Sequence, residues 1–169
     1  FLLANDDTLF YRDLEPSFFL GRDGYPIFRL SGTFVPPGPG CKDNYTLNLQ
    51  RTMDLFLARQ TRIAKVVRRA MRRLPHHNID AYRKSDLLAI RAKYAEDIDR
   101  QLRYPFRRAD NVQRIIYTYE SLQSGHGHLR LSSFNTSPYG GVLRRILPAW
   151  ADSLFFVNEL WRLSPVMLK

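Results

Sequence analysis

The chain has 169 residues, 44% of them hydrophobic and 25% charged, a composition that is ordinary for a globular protein and excludes a globally disordered one. The formal net charge is +10, and residues 45–125 carry 17 Lys and Arg against 8 Asp and Glu, which indicates an anionic partner. Cys41 is the only cysteine, so an intrachain disulfide and a cysteine-based metal cluster are excluded. No stretch approaches the roughly 20 apolar residues of a membrane-spanning helix.

Residues 1–44 predict an extended, irregular N-terminal arm. Proline and glycine recur in it too often for a helix, although residues 25–30 suit a strand. The arm also contains more aromatic residues than a free linker needs. We therefore expect it to cover the core of this chain rather than the surface of a partner.

Residues 47–74 predict one long amphipathic helix. Apolar residues recur at spacings of three and four along one face, with Gln60 in a gap, and cationic residues fall largely outside that face. Pro75 ends the pattern because it has no backbone N–H and restricts the preceding residue. The apolar face consists of Leu49, Met53, Phe56, Ile63, Val67, Ala70 and Leu74.

Two further helices are predicted over residues 85–102 and 110–124. Asp110 and Gln113 have the spacing of a capping box, and Gly125 is placed to end the third helix in a left-handed conformation. Residues 125–141 predict a loop, and Pro148 predicts the start of a last amphipathic helix. The expected fold is all-α: a three-helix domain at 45–125, between the arm at 1–44 and a loop with a C-terminal amphipathic extension at 126–169.

Enzymatic motifs do not appear in the sequence. His76, His77, His126 and His128 have no carboxylate or thiolate at ligand spacing, so a metal site is not expected. No nucleophile–base arrangement and no phosphate-binding glycine loop is recognisable. The pattern therefore favours a non-catalytic protein.

Several local motifs resemble the LYR family of small mitochondrial three-helix proteins. Arg68 and Arg72 match the two arginines of the family's Leu-Tyr-Arg-x-x-Leu-Arg run, while Met71 stands for its second leucine and Val67 for its tyrosine. Residues 90–94 are similar to the family's Ile-Arg-x-x-Phe element. Within the family, residues 69–74 look most like the beta-subcomplex subunit 9 type of respiratory complex I. The resemblance covers about residues 50–130.

This resemblance implies a three-helix fold and a role as an accessory subunit of the complex I membrane arm, peripheral on the matrix side of the mitochondrial inner membrane. It further implies that the mitochondrial acyl carrier protein docks on a basic helix face, and that its acyl-4'-phosphopantetheine chain enters a channel between the helices. The docking residues would be Lys65, Arg68, Arg69, Arg72 and Arg91. The channel residues would be Phe56, Ile63, Val67, Met71, Tyr94, Ile98, Ile116 and Tyr119.

Other interpretations of the same residues stay open. The cationic face is also typical of a solvated helix surface, and the apolar face is typical of an ordinary core. A sequence pI near 10.1 fits an RNA-binding protein such as a mitochondrial ribosomal protein. A structural subunit of another inner-membrane complex, such as ATP synthase, fits as well.

Overall fold

The computed structural model describes residues 1–3, 8–10, 14–34, 44–75, 79–106, 108, 110–132 and 154–156, and for 8–10, 31–34, 132 and 154–156 only the backbone. The helices are α1 (Pro16–Phe19), α2 (Asn44–Leu57), α3 (Lys65–Met71), α4 (Lys84–Lys93), α5 (Ala95–Leu102) and α6 (Ile115–Gln123). The strands are β1 (Leu2–Leu3), β2 (Thr8–Phe10), β3 (Ile27–Phe34), β4 (Arg73–Pro75), β5 (Asp80–Ala81), β6 (His128–Ser132) and β7 (Leu154–Phe156). The all-α prediction is therefore wrong, because the fold is mixed α/β.

A three-stranded sheet of order β4-β3-β6 joins the three predicted segments of the chain. Strand β3 pairs antiparallel with β4 and parallel with β6, from Ile27 opposite His128 to Ser31 opposite Ser132. Phe28 and Leu30 of β3 are buried in the main core. The predicted strand near residues 25–30 is confirmed, and in its described part the arm covers the core of this chain, as expected.

The predicted long helix is broken between α2 and α3. Side chains of α6 hold the break by replacing lost helical hydrogen bonds. Gln123 accepts from the Ala64 N–H at 3.0 Å and donates to the Arg62 carbonyl at 2.8 Å. Gln60 donates to Glu120 at 2.9 Å. Gln60, which fills the gap in the predicted apolar face, thus lies in the segment where the chain leaves α2.

The second predicted helix is present as α4 and α5, which are separated by Tyr94. The third is shorter than predicted: α6 begins at Ile115, and the expected capping box at Asp110 does not form. The backbone N–H groups before α6 bond to other elements instead, since Val112 donates to Gln101 at 2.7 Å and Gln113 donates to Thr52 at 2.8 Å. Gly125 adopts φ +73, which confirms the predicted left-handed end.

The predicted loop at 125–141 is wrong over residues 128–132, because these residues form β6. Most of the predicted C-terminal helix lies outside the described residues. The part that is described, Leu154–Phe156, pairs antiparallel with Thr8–Phe10 as a strand. Strands β1 and β5 form a separate antiparallel pair. Across the described ranges, no helix combines the length and apolar character that crossing a membrane requires.

Candidate functional site

A groove with a volume of about 740 Å³ opens along α3, beside β4 and β6. Its cationic lining comes from both α3 and β4, and Val66 and Leu129 add apolar surface. Lys65, Arg68 and Arg69 of α3 and Arg72 at its C-terminal cap lie on one face, because their spacing of three and four residues matches the helical repeat. We refer to these four residues as the cations of α3. The cations that line the groove are Lys65, Arg68, Arg69, Arg72 and Arg73.

The opposite face of α3 fixes the helix in the core. Val67 and Ala70 are fully buried there, and α3 packs against α6. Arg68 Nε donates to the Ile63 carbonyl at 3.2 Å, so the break before α3 also orients one of the groove arginines. The groove cations are therefore carried by a buried, anchored helix rather than by a free loop.

Lys65, Arg68, Arg69 and Arg72 form no ion pair with any carboxylate in the described parts of the chain. All four side chains are exposed to solvent. Like charges three and four residues apart on a helix repel one another, at a cost of about 0.2–0.5 kcal/mol per pair. An anion in the groove would relieve this repulsion, and guanidinium groups bind carboxylate and phosphate with paired hydrogen bonds.

Four of the five predicted docking residues are thus brought together, and the fifth is not. Arg91 lies on α4, does not line the groove, and forms an ion pair with Asp99. The sequence places Arg73 in the same cationic stretch, but the predicted docking set did not include it. Arg73 joins the groove because the chain continues from α3 into β4. The available sequence signal was that Arg73 is a further cation directly after the predicted docking residue Arg72.

The predicted channel residues lie together in the main hydrophobic core. Phe56, Val67 and Tyr94 are fully buried, and Ile63 packs against the cluster from its edge. The remaining members are also part of it: Met71, Ile98, Ile116 and Tyr119. Their role as an acyl channel stays a prediction.

A polar network centred on Glu120 holds the helices beneath the groove. The carboxylate is 6% exposed, and its Oε1 accepts from Gln60 at 2.9 Å, from Lys93 at 2.7 Å and from the Tyr94 hydroxyl. Burial, together with the hydrogen bond to Glu120, raises the pKa of Tyr94 far above its ordinary value. Glu120 therefore joins α6 both to α4 and to the break that precedes α3.

A second buried carboxylate belongs to Asp80 of β5. Asp80 pairs with Arg114 at 3.3 Å, and the buried Arg29 guanidinium also acts on it. Burial nevertheless dominates and raises the pKa of Asp80 to about 6. Asp80 was not singled out from the sequence, since a lone aspartate gives no signal of burial.

Two histidines on the segment after α6 pair with distant aspartates. His126 Nδ1 lies 3.1 Å from Asp86, and its ring stacks on Tyr25 with centroids 5.1 Å apart. His128 Nε2 lies 3.0 Å from Asp23, and that hydrogen bond lowers the pKa of Asp23. In the described residues no group of three His, Cys, Asp or Glu side chains forms a candidate metal site. His76 and His77 lie outside the described residues.

Comparison with known proteins adds no family to these observations. No protein-family model matches the chain, and no curated protein matches it.

Proposed function

We propose that this protein is a non-catalytic docking protein whose α3 groove binds an acidic surface of a partner protein. The observation that carries the proposal is the set of four exposed cations on α3 that no described carboxylate pairs with. A single exposed ion pair contributes only about 0–1 kcal/mol, so affinity requires several cations that act together. The groove supplies that arrangement on a rigid support.

The partner that suits this chemistry best is the mitochondrial acyl carrier protein. The resemblance of residues 66–72 to the LYR run supports this choice, and Arg68 and Arg72 from that run both line the groove. The setting would be the membrane arm of complex I, where the chain would serve as a peripheral accessory subunit on the matrix side of the inner membrane. The acyl-4'-phosphopantetheine group would belong to the carrier protein.

The buried side of α3 supports a route for the acyl chain. Val67 of α3 and Ile116 of α6 belong to one core, directly behind the cationic face. Burial of an acyl chain there would stabilise the complex by about 0.8 kcal/mol per methylene. The acyl chain would first have to separate these packed side chains. The proposal therefore predicts that acylation of the carrier protein loosens the contact between α3 and α6.

Mass spectrometry of proteins that co-purify with the intact chain tests the partner directly. We expect an acidic protein that bears phosphopantetheine, and we expect its recovery to fall when Arg68→Glu and Arg72→Glu are combined. The matched control is Arg22→Glu with Arg51→Glu, two exposed positions that do not line the groove, which changes the net charge equally. Equal recovery with both double variants would show that the groove is not the docking site.

RNA is the second candidate, because the same unpaired cations would also bind phosphates and the sequence pI is about 10.1. This alternative predicts that nuclease releases the chain from its native assembly. It also predicts a steep loss of affinity with salt. Co-purification that survives nuclease, without a carrier protein, would instead favour a structural subunit of another inner-membrane complex.

A further inference from the structure

The end of α5 carries exposed apolar side chains that neither the core nor the α3 groove uses. Phe106 is 81% exposed, Leu102 is 70% exposed and Tyr104 is 46% exposed. Single exposed apolar residues are normal, but three within five consecutive positions concentrate exposed apolar surface in one short segment, as binding segments do. We refer to residues 102–106 as the 102–106 tip.

The sequence around the 102–106 tip is rich in arginine. Residues 100–110 contain four arginines and one aspartate. Arg103 lies inside the tip, is exposed, and forms no ion pair with a carboxylate of the described segments. Arg108 lies just beyond it, with its guanidinium 4.3 Å from the centre of the Tyr104 ring and 3.4 Å from Asp110. The tip thus combines apolar side chains with an excess of positive charge.

We propose that the 102–106 tip binds the surface of a membrane that contains anionic lipids. Leucine and aromatic side chains partition into the boundary between headgroups and acyl chains, while neighbouring arginines attract lipid phosphates. Tyrosine is amphipathic and suits the same depth. This inference stands apart from the α3 groove, since none of its residues lines that groove.

Two observations favour lipid over RNA as the occupant. Leu102, one of the two most exposed side chains of the tip, has no ring on which a base could stack. The Tyr104 ring already has the Arg108 guanidinium over one face. Insertion into the boundary between lipid headgroups and acyl chains requires neither a free ring face nor a rearrangement of Leu102 or Tyr104.

The test uses the full-length chain and sedimentation with phospholipid vesicles. We expect binding to vesicles of phosphatidylcholine with phosphatidylserine, and weaker binding to phosphatidylcholine alone. The combined substitutions Leu102→Ser and Phe106→Ser should weaken binding about tenfold or more, because each removes an inserted apolar side chain. Both positions are exposed, so the fold should tolerate the change.

The matched control combines Leu57→Ser and Leu88→Ser, two exposed leucines elsewhere in the chain. We expect this control to bind vesicles within about twofold of the wild type. Equal binding by the tip variant and the control would overturn the proposal, as would a wild-type chain that does not bind anionic vesicles. Loss of binding to a single-stranded oligoribonucleotide by the tip variant, with vesicle binding unchanged, would assign the tip to RNA instead.

The experiment is separable from the proposed function. Arg68→Glu with Arg72→Glu removes the groove charges, and we expect it to preserve the difference between the tip variant and its control. If that difference disappears together with the groove charges, the vesicles are binding to the groove, and the tip proposal is wrong.

Discussion

The cations of α3 and the cations that pair with Asp97 and Glu120 are the same residue types in opposite situations. Arg59, which follows α2, lies 2.8 Å from Asp97, Lys93 of α4 lies 2.7 Å from Glu120, and Arg100 of α5 also pairs with Asp97. On α3, Lys65, Arg68, Arg69 and Arg72 face the groove with no described carboxylate as partner. The first group links elements of the fold, and the second group does not.

The charges of α3 therefore form no ion pair that stabilises the described fold. A partnered cation repays its desolvation through hydrogen bonds, as the network around Glu120 illustrates. Four like charges on one helix face repel one another and link no described element. A negatively charged ligand would relieve this repulsion and pair with these cations. Substitutions in the two regions should therefore have opposite effects on stability.

The largest effect is expected in the partnered region, from Glu120→Ala. The substitution removes the acceptor for Gln60, Lys93 and Tyr94, and the Tyr94 hydroxyl is left buried without it. We expect the free energy of unfolding to fall by about 3–5 kcal/mol, because three donors lose their acceptor at once. Urea denaturation measures this value. Asp99→Ala, which breaks the exposed pair with Arg91, should cost less than about 1 kcal/mol. Similar losses in both variants would contradict the distinction between buried and exposed partners.

A somewhat smaller effect is expected from the pH dependence that Asp80 produces. Its pKa is raised to about 6 in the folded chain, so the folded state binds the proton more tightly than the unfolded state. Its contribution to stability is present below about pH 4 and is lost as the pH rises through about 6, by up to about 3 kcal/mol.

Asp80→Asn removes this titration, so the difference in unfolding free energy between the variant and the wild type should change over that pH range. Urea denaturation at a series of pH values measures it. A constant difference would show that the pKa of Asp80 is the same in the folded and unfolded states.

The smallest effect is expected from the unpartnered region, with the opposite sign. Arg69→Gln combined with Arg72→Gln removes like-charge repulsion at α3, so the isolated chain should become more stable by a few tenths of a kcal/mol. Arg59→Gln removes the contact with Asp97 and should destabilise it by about 1 kcal/mol. Thermal unfolding at low ionic strength resolves the two signs. Destabilisation by the α3 variant would indicate that its arginines have a structural role.

Local signals in the sequence identified the helices better than their boundaries. The apolar faces around α2, α4 and α6 were recognisable from spacing, and Gly125 marked the end of α6. The break before α3 was not, because it depends on Gln123 of α6, about 60 residues away in the chain. Neither a glycine nor a proline marks the break, and Gln60 was the one polar interruption of the apolar face.

The three-stranded sheet was even harder to predict from local sequence than the break before α3. Strand β6 has the alternating sequence His-Leu-Arg-Leu-Ser, which is a local strand signal, but its parallel pairing with β3, about 100 residues earlier, does not follow from that pattern. The part of the site that could be predicted from the sequence is the part that one continuous segment of the chain supplies. Four cations of α3 were found because one helix carries them, whereas Leu129 and the pair of Asp23 with His128 needed the sheet to come together.

The most direct measurement of the central claim is calorimetric titration of the chain with acyl carrier protein that bears phosphopantetheine. The account predicts that Arg68→Glu with Arg72→Glu weakens the affinity about a hundredfold, since like charges would then face each other across the interface. Arg22→Glu with Arg51→Glu, at the same net charge, should weaken it by less than about fivefold. Equal weakening by the two variants, or no binding by the wild-type chain, would contradict the account.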